Sequence, residues 1–339
     1  MVLAVWTKLL SDTSLKRSSQ TLTVLGNNAY IYGGELRPRE PVDSTVYHLA
    51  LNPTTPANPT IAAATAIASP STTPQPRVGS ASTTLAGKIY IFSGRGGIAL
   101  EPIEESGAFW VFDPTNNTWT QLCPANPESP FPAGRSYHTL TNNGTDTIYL
   151  HAGCPPTGRL RDLWAFDIAT RQWRECAPAP PPERGGASIA YAEGKVYRMN
   201  GFDGTREQGG AMDVYDPVAD AWSTVSYSAD GMSGPTPRSV GCLLAVKVAG
   251  RPCLVTVFGE HDPSSLGHQG AGKMLGDMWV FDIELQRWAQ VEVEGESPAP
   301  RGWFDADVVV SGEGRSSIVV HGGLSESNER LDDVWRLEF

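Results

Sequence analysis

The sequence predicts an all-β protein, a single six-bladed β-propeller whose ring is closed by its own N-terminal strand. Three observations carry the prediction: a four-fold Asp-to-Trp ruler, six glycines that end apolar strands, and six arginines that open others. Their spacing of about fifty to sixty residues is that of a propeller repeat.

The ruler is an Asp followed six positions later by a Trp: Asp113 and Trp119, Asp167 and Trp173, Asp216 and Trp222, Asp282 and Trp288. Before each Asp the chain alternates large side chains, as in Trp110-Val111-Phe112 and Trp279-Val280-Phe281, which is the period of a half-buried strand. The polar stretch between Asp and Trp reads as a hairpin turn. Upstream, strands such as Ile31-Tyr32-Gly33-Gly34 and Val320-His321-Gly322-Gly323 end in Gly, with Gly94, Gly153, Gly201 and Gly259 in equivalent places. Further upstream, Arg17, Arg77, Arg135, Arg184, Arg238 and Arg301 open the innermost strands and mark the blade boundaries of one domain, residues 1–339.

The two ends of the chain explain each other. The last unit stops at Trp335-Arg336-Leu337-Glu338-Phe339 without an outer strand, and Ala4-Val5-Trp6-Thr7-Lys8-Leu9 resembles the missing piece. Residues 1–10 are therefore expected to pair into the last blade, removing two open sheet edges. Unit one is irregular. Its ruler dissolves into Asn52–Pro76, a Pro/Thr/Ala-rich stretch without Trp, expected to carry a poorly ordered loop.

Composition narrows the function. A net charge of −11 argues against a phosphate-backbone ligand, so no nucleic acid is expected. There is no apolar run long enough to span a membrane, and the apolar start Met1–Trp6 is too short for a signal peptide. Five scattered cysteines without a CxxC pair suit free thiols in a reducing, cytoplasmic setting.

The Gly-Gly, Trp/Tyr and Pro-Arg pattern, repeated six times, resembles the kelch repeat across essentially the whole chain. A narrower likeness lies in unit five, Phe258-Gly259-Glu260 to Gly272-Lys273, which is similar to the iron-site loop Glu-x3-Asp-x3-His of plant nitrile-specifier and thiocyanate-forming proteins. Glu260 and His268 match the outer two positions. The central one is Ser264, with Asp262 the nearest carboxylate. The resemblance implies weakly bound ferrous iron at Glu260, His268 and Asp262, and arginines at Arg77 and Arg135 that hold an anionic substrate. Otherwise no cofactor is expected.

In a propeller of this kind the loop after the Gly strand and the start of the inner strand emerge on one face. The six arginines are accordingly expected near the mouth of the axial channel, beside Glu260 and His268. Arg77 and Arg135 would serve catalysis with Glu260 and His268, while Arg17, Arg184, Arg238, Arg301, Tyr137 and Trp303 would contact substrate. The competing reading is that each Arg braces nearby backbone carbonyls, since a repeat-wide residue favours structure. Nine of the ten tryptophans fit ladder positions, and Trp303 is the exception. His48, His138, His151 and His321 read as core residues, and Glu101, Glu104 and Glu105 as a solvated face.

The functional expectation is a small-molecule enzyme directing breakdown, rearrangement or cyclisation of a reactive anionic or carbonyl-bearing metabolite. Without iron, arginines polarising a carbonyl could serve an isomerisation or cyclisation in the same pocket. The alternative is a protein-interaction module that binds an acidic peptide across the same face.

Overall fold

The computed structural model describes residues 2–51, 63–68, 72–97, 99–310 and 314–339. Its strands form antiparallel runs of four. The first is Ser18–Leu25, Asn28–Arg37, Val46–Ala50 and Thr65–Ile67. The second, third and fourth runs begin with Ala81–Leu85, Thr139–Asn142 and Ser188–Ala192. The last two, beginning with Cys242–Val248 and Asp305–Val310, are joined into one eight-stranded sheet. Val2–Ser11 makes that join. It pairs antiparallel with Asp333–Glu338, as the sequence predicts, and parallel through Val2–Val5 with Val291–Glu294.

The ruler has a local cause. The Oδ1 atoms of Asp113, Asp167, Asp216 and Asp282 accept backbone N–H bonds from residues two or three further on, folding the hairpin turn. The following Trp then faces the preceding run. Trp119 meets Tyr32 with ring centroids 5.3 Å apart, Trp173 donates its indole N–H to Gly107, and Trp222 donates to Ala177. Trp6 takes its place beside Phe258 in a core that includes Val280, Ile318 and Trp335.

The first strands of the runs pack in a closed cycle around an axial channel of about 350 Å3. At one end of it, six residues in the left-handed region hydrogen-bond head to tail through the backbone. Ser19 donates to Trp303, Trp303 to Val240, Val240 to Gly186, Gly186 to Tyr137, Tyr137 to Gly79 and Gly79 to Ser19, at 2.7–3.0 Å. A second ring surrounds it, in which the strand-ending glycines 34, 94, 153, 201, 259 and 323 each donate to the carbonyl of the next unit's arginine. These glycines lie at φ between 93° and 113°. A Cβ on Gly153 would stand 2.8 Å from the Ser136 carbonyl oxygen, so no other residue fits without displacing backbone.

The irregular first unit differs from expectation in one respect. Most of Asn52–Pro76 lies outside the described residues, but Thr65–Ile67 supplies the fourth strand, pairing with Val46–His48 without a Trp.

Candidate functional site

The six repeat arginines are buried, and all brace the backbone. Each Nε donates to the carbonyl two residues upstream, as Arg77 does to Gln75 and Arg301 to Ala299. Each Nη1 donates to the carbonyl just before the strand-ending glycine. Those acceptors are Gly33 for Arg17, Ser93 for Arg77, Ala152 for Arg135, Asn200 for Arg184, Phe258 for Arg238 and Gly322 for Arg301. Four also hold a carboxylate that in turn accepts an indole N–H: Glu105 with Trp110, Asp162 with Trp164, Asp277 with Trp279 and Asp333 with Trp335.

This corrects the expectation that these arginines line the mouth. Arg77, Arg135, Arg238 and Arg301 are at most 2% exposed, and neither they nor Arg17 and Arg184 line the mouth cavity. A guanidinium fixed by two carbonyls and a carboxylate has no free edge for a ligand. Glu105 is a half-buried partner of Arg77 and not part of a solvated face. His151 and His321 are buried as expected, and the fully buried ring of His138 is held far from protonation, to about 3.

Tyr137 and Trp303 do stand at the mouth. Both belong to the inner backbone ring, their rings touch edge to face at 5.1 Å, and both line the channel and a second cavity of about 340 Å3 above it. They form the partition between the two spaces. The upper cavity is walled by Glu35, Arg39, Arg95, Glu101, Cys154 and Arg330, all on loops that follow the glycine strands or end them. Three guanidiniums against two carboxylates make this mouth locally cationic in a chain of net charge −11.

Arg95 is the central member. It donates to Ser136 Oγ at 2.7 Å and to the carbonyls of Leu100 and Pro155, and has no carboxylate partner among the described residues. Arg159 stands near, its guanidinium 4.9 Å from the Phe202 ring centre and its Nε without a partner among the described residues. Both arginines favour the charged form of the Cys154 thiol, although burial pushes that thiol up. The sequence reading missed Arg95 and Arg159 because neither recurs in the repeat. The signal available was Arg95 directly after the strand-ending Gly94, where a solvent-facing loop begins.

Glu260 lies behind the partition. It is 5% exposed and accepts the Gly272 N–H at 2.7 Å. Burial, reinforced by the nearby Glu207 carboxylate, pushes its pKa up to about 7. Glu207 is itself buried, raised by desolvation, and its Oε1 has no partner among the described residues.

A ferrous ion requires several converging donors. Asp262 turns instead towards His261, 3.4 Å away, and its side chain is 75% exposed. Ser264 Oγ accepts the Leu266 N–H. His268 lies in the short turn Gly267–Gln269, and its side chain is outside the described residues. Among the described residues no three His, Cys, Asp or Glu side chains gather as a metal site. The donors that are described do not fit the ion, and no step is derived through it.

Comparisons with known proteins agree with this architecture. Residues 19–259 match the model of the KLHDC2/KLHL20/DRC7 Kelch-repeats domain. An N-(sulfonatooxy)prop-2-enimidothioate sulfolyase of Thlaspi arvense is 27% identical over 94% of this chain and 91% of its own. An F-box/kelch-repeat protein of Arabidopsis thaliana is 25% identical over 61% of this chain but only 44% of its own length. Among solved structures, YjhT superposes with a TM-score of 0.70 at 16% identity, covering 96% of this chain and 95% of that one.

Proposed function

The chain belongs to the kelch-repeat propeller family, and from that premise we propose that its mouth cavity is the active site of a specifier-like lyase acting on a small, reactive anionic metabolite. The carrying observation is Arg95 on the cavity wall without a carboxylate partner among the described residues, next to Arg159 and above an aromatic floor. The arginines would bind a sulfate or carboxylate and neutralise the charge that develops as it leaves. Tyr137 and Trp303 would pack the organic part. Glu260, with its proton affinity near neutrality, does not line the cavity and would exchange a proton with the ligand only through an intervening water.

The sulfolyase from Thlaspi arvense supports the reaction class, since it aligns along nearly the full length of both chains. A cavity of about 340 Å3 is also the size of a small-molecule pocket, whereas an acidic peptide would need a wider bowl.

The test is sulfate release from N-(sulfonatooxy)prop-2-enimidothioate and related sulfated thiohydroximates, measured against the spontaneous rate. Acceleration or product redirection that disappears in Arg95→Ala supports the reading. Unchanged rates and products with every compound would overturn it.

A further inference from the structure

Arg330 is buried to 6% exposure, yet it lines the mouth cavity. A bridge between Leu324 and Arg330 fixes its backbone. One Nη2 bond of 2.9 Å goes to Glu35 Oε1, and Nη1 makes two long contacts of 3.3 Å with Asn328. Its Nε has no partner among the described residues. Glu35 is fixed in turn, its Oε2 accepting the Arg39 N–H at 2.8 Å. Glu35 is thus the group that orients the fork on the cavity wall, where Nη1 is held only by its two long contacts with Asn328 and can exchange them for a ligand oxygen.

Position gives this meaning. Arg95 comes from the second run of strands and Arg330 from the sixth, and the first run's loop, with Glu35 and Arg39, stands between them. The mouth therefore carries two separate cationic points on one cavity.

We propose that Arg330, oriented by Glu35, is a second anion- or carbonyl-binding point, so that the site selects molecules with two separated acceptor groups, one at Arg95 and one at Arg330. This rests on the mouth cavity being the ligand site. A monoanion with an apolar tail would satisfy Arg95 alone and leave Arg330 without a ligand oxygen. A molecule with a second carboxylate or carbonyl would satisfy both, and such polar matching discriminates far more strongly than apolar fit.

The test uses the full-length protein and titration calorimetry with the dicarboxylates from succinate to suberate, each against the monocarboxylate of equal length. At least one dicarboxylate should bind about tenfold or more tightly than its monoacid, the worth of a hydrogen bond to a charged group. Arg330→Met should reduce that preference to within about twofold while leaving monoacid affinity nearly unchanged. The double variant E35Q/R330M, which keeps the wall electrically balanced, should do the same and guards against misfolding of the single one. Equal binding of all pairs by the wild type, including no binding of any, overturns the proposal, as does a preference that survives both variants. If Arg95→Met leaves monoacid affinity intact while Arg330→Met still removes the preference, the second point stands and the Arg95 anchor falls.

Discussion

Arg238 grips Asp277 through two hydrogen bonds of 2.8 and 2.9 Å, and the Trp279 indole donates to the same carboxylate at 2.6 Å. The guanidinium is fully buried, and its charge holds the Asp277 carboxyl below the usual range although burial opposes it. The arrangement fastens the start of an inner strand to the start of the third strand of its own sheet. Arg238→Ala should therefore cost ~3–5 kcal/mol, because it leaves a half-buried carboxylate and two backbone carbonyls without their donor. Arg95→Ala removes three part-buried hydrogen bonds and no ion pair, so it should cost less, ~1–2 kcal/mol, and weaken anion binding by ~1.5–3 kcal/mol. Urea unfolding and calorimetry on the two variants separate the roles. A stable Arg238→Ala that loses binding would return the repeat arginines to the site.

The strand Val2–Ser11 lies between Asp333–Glu338 and Arg287–Glu294 and buries Trp6 and Leu9. Trp6→Ala is expected to cost ~3–5 kcal/mol, as for other buried aromatic truncations. Deleting residues 2–11 should cost more, because two sheet edges open at once. The readout is the urea midpoint, and a truncated chain that melts like the full one would contradict the closure.

Asp305 and Asp307 line the channel and accept backbone N–H bonds from Leu22 and Val24 on the neighbouring inner strand. Burial pushes their pKa values up to about 7 and about 6. The unfolded chain ionises them near 4, so between there and about 7 unfolding releases protons and stability falls as pH rises. Below the unfolded value their full contribution is present. Asp305→Asn combined with Asp307→Asn keeps an acceptor and should flatten this part of the profile. Urea midpoints at pH 5 and pH 8 check it, and a parent protein no less stable at pH 8 would refute it.

The loop from Glu260 to His268, whose described donors do not converge, is expected to retain little ferrous iron, since the central position is Ser264. Affinity for a divalent ion grows with the number and charge of its ligands. Ser264→Asp should tighten binding and Glu260→Gln should loosen it, measured by metal content after anaerobic loading and desalting. Identical metal content in all three proteins would remove this loop from consideration as a metal site.

The strand pattern, the Asp-to-Trp turns and the docking of Trp6 were all legible in the sequence because each is a local rule repeated or completed elsewhere in the chain. Repetition also exposed the arginines, but not the direction of their forks. That depends on carbonyls sixteen to twenty-one residues away, as between Arg77 and Ser93 or Arg301 and Gly322. Glu105 read as a surface charge because it stands five residues before Trp110, whereas Asp162, Asp277 and Asp333 stand two before their tryptophans, so no shared register marked it as the partner of Arg77. Tyr137 and Trp303 could be found because they depart from their neighbours at a repeat position. Arg95 and Arg330 lie in loops whose lengths differ from unit to unit, so no register aligned them and only the folded chain brings them to one mouth.

The inner ring is made wholly of peptide groups, and its six members are Ser19, Gly79, Tyr137, Gly186, Val240 and Trp303. No side chain takes part in the bonds, so the ring asks of each position only a left-handed backbone, at some conformational expense for Tyr137, Val240 and Trp303. The floor of the mouth is thereby uncoupled from the skeleton beneath it. Aromatic, branched and hydroxyl residues already coexist there, and an exchange at Ser19, Tyr137, Val240 or Trp303 would reshape the chamber while leaving the closing bonds in place, whereas a Cβ on Gly79 or Gly186 would stand 2.8 Å from Tyr137 or Val240. Such a scaffold can change its ligand by drift at a few positions, without first having to survive a broken ring.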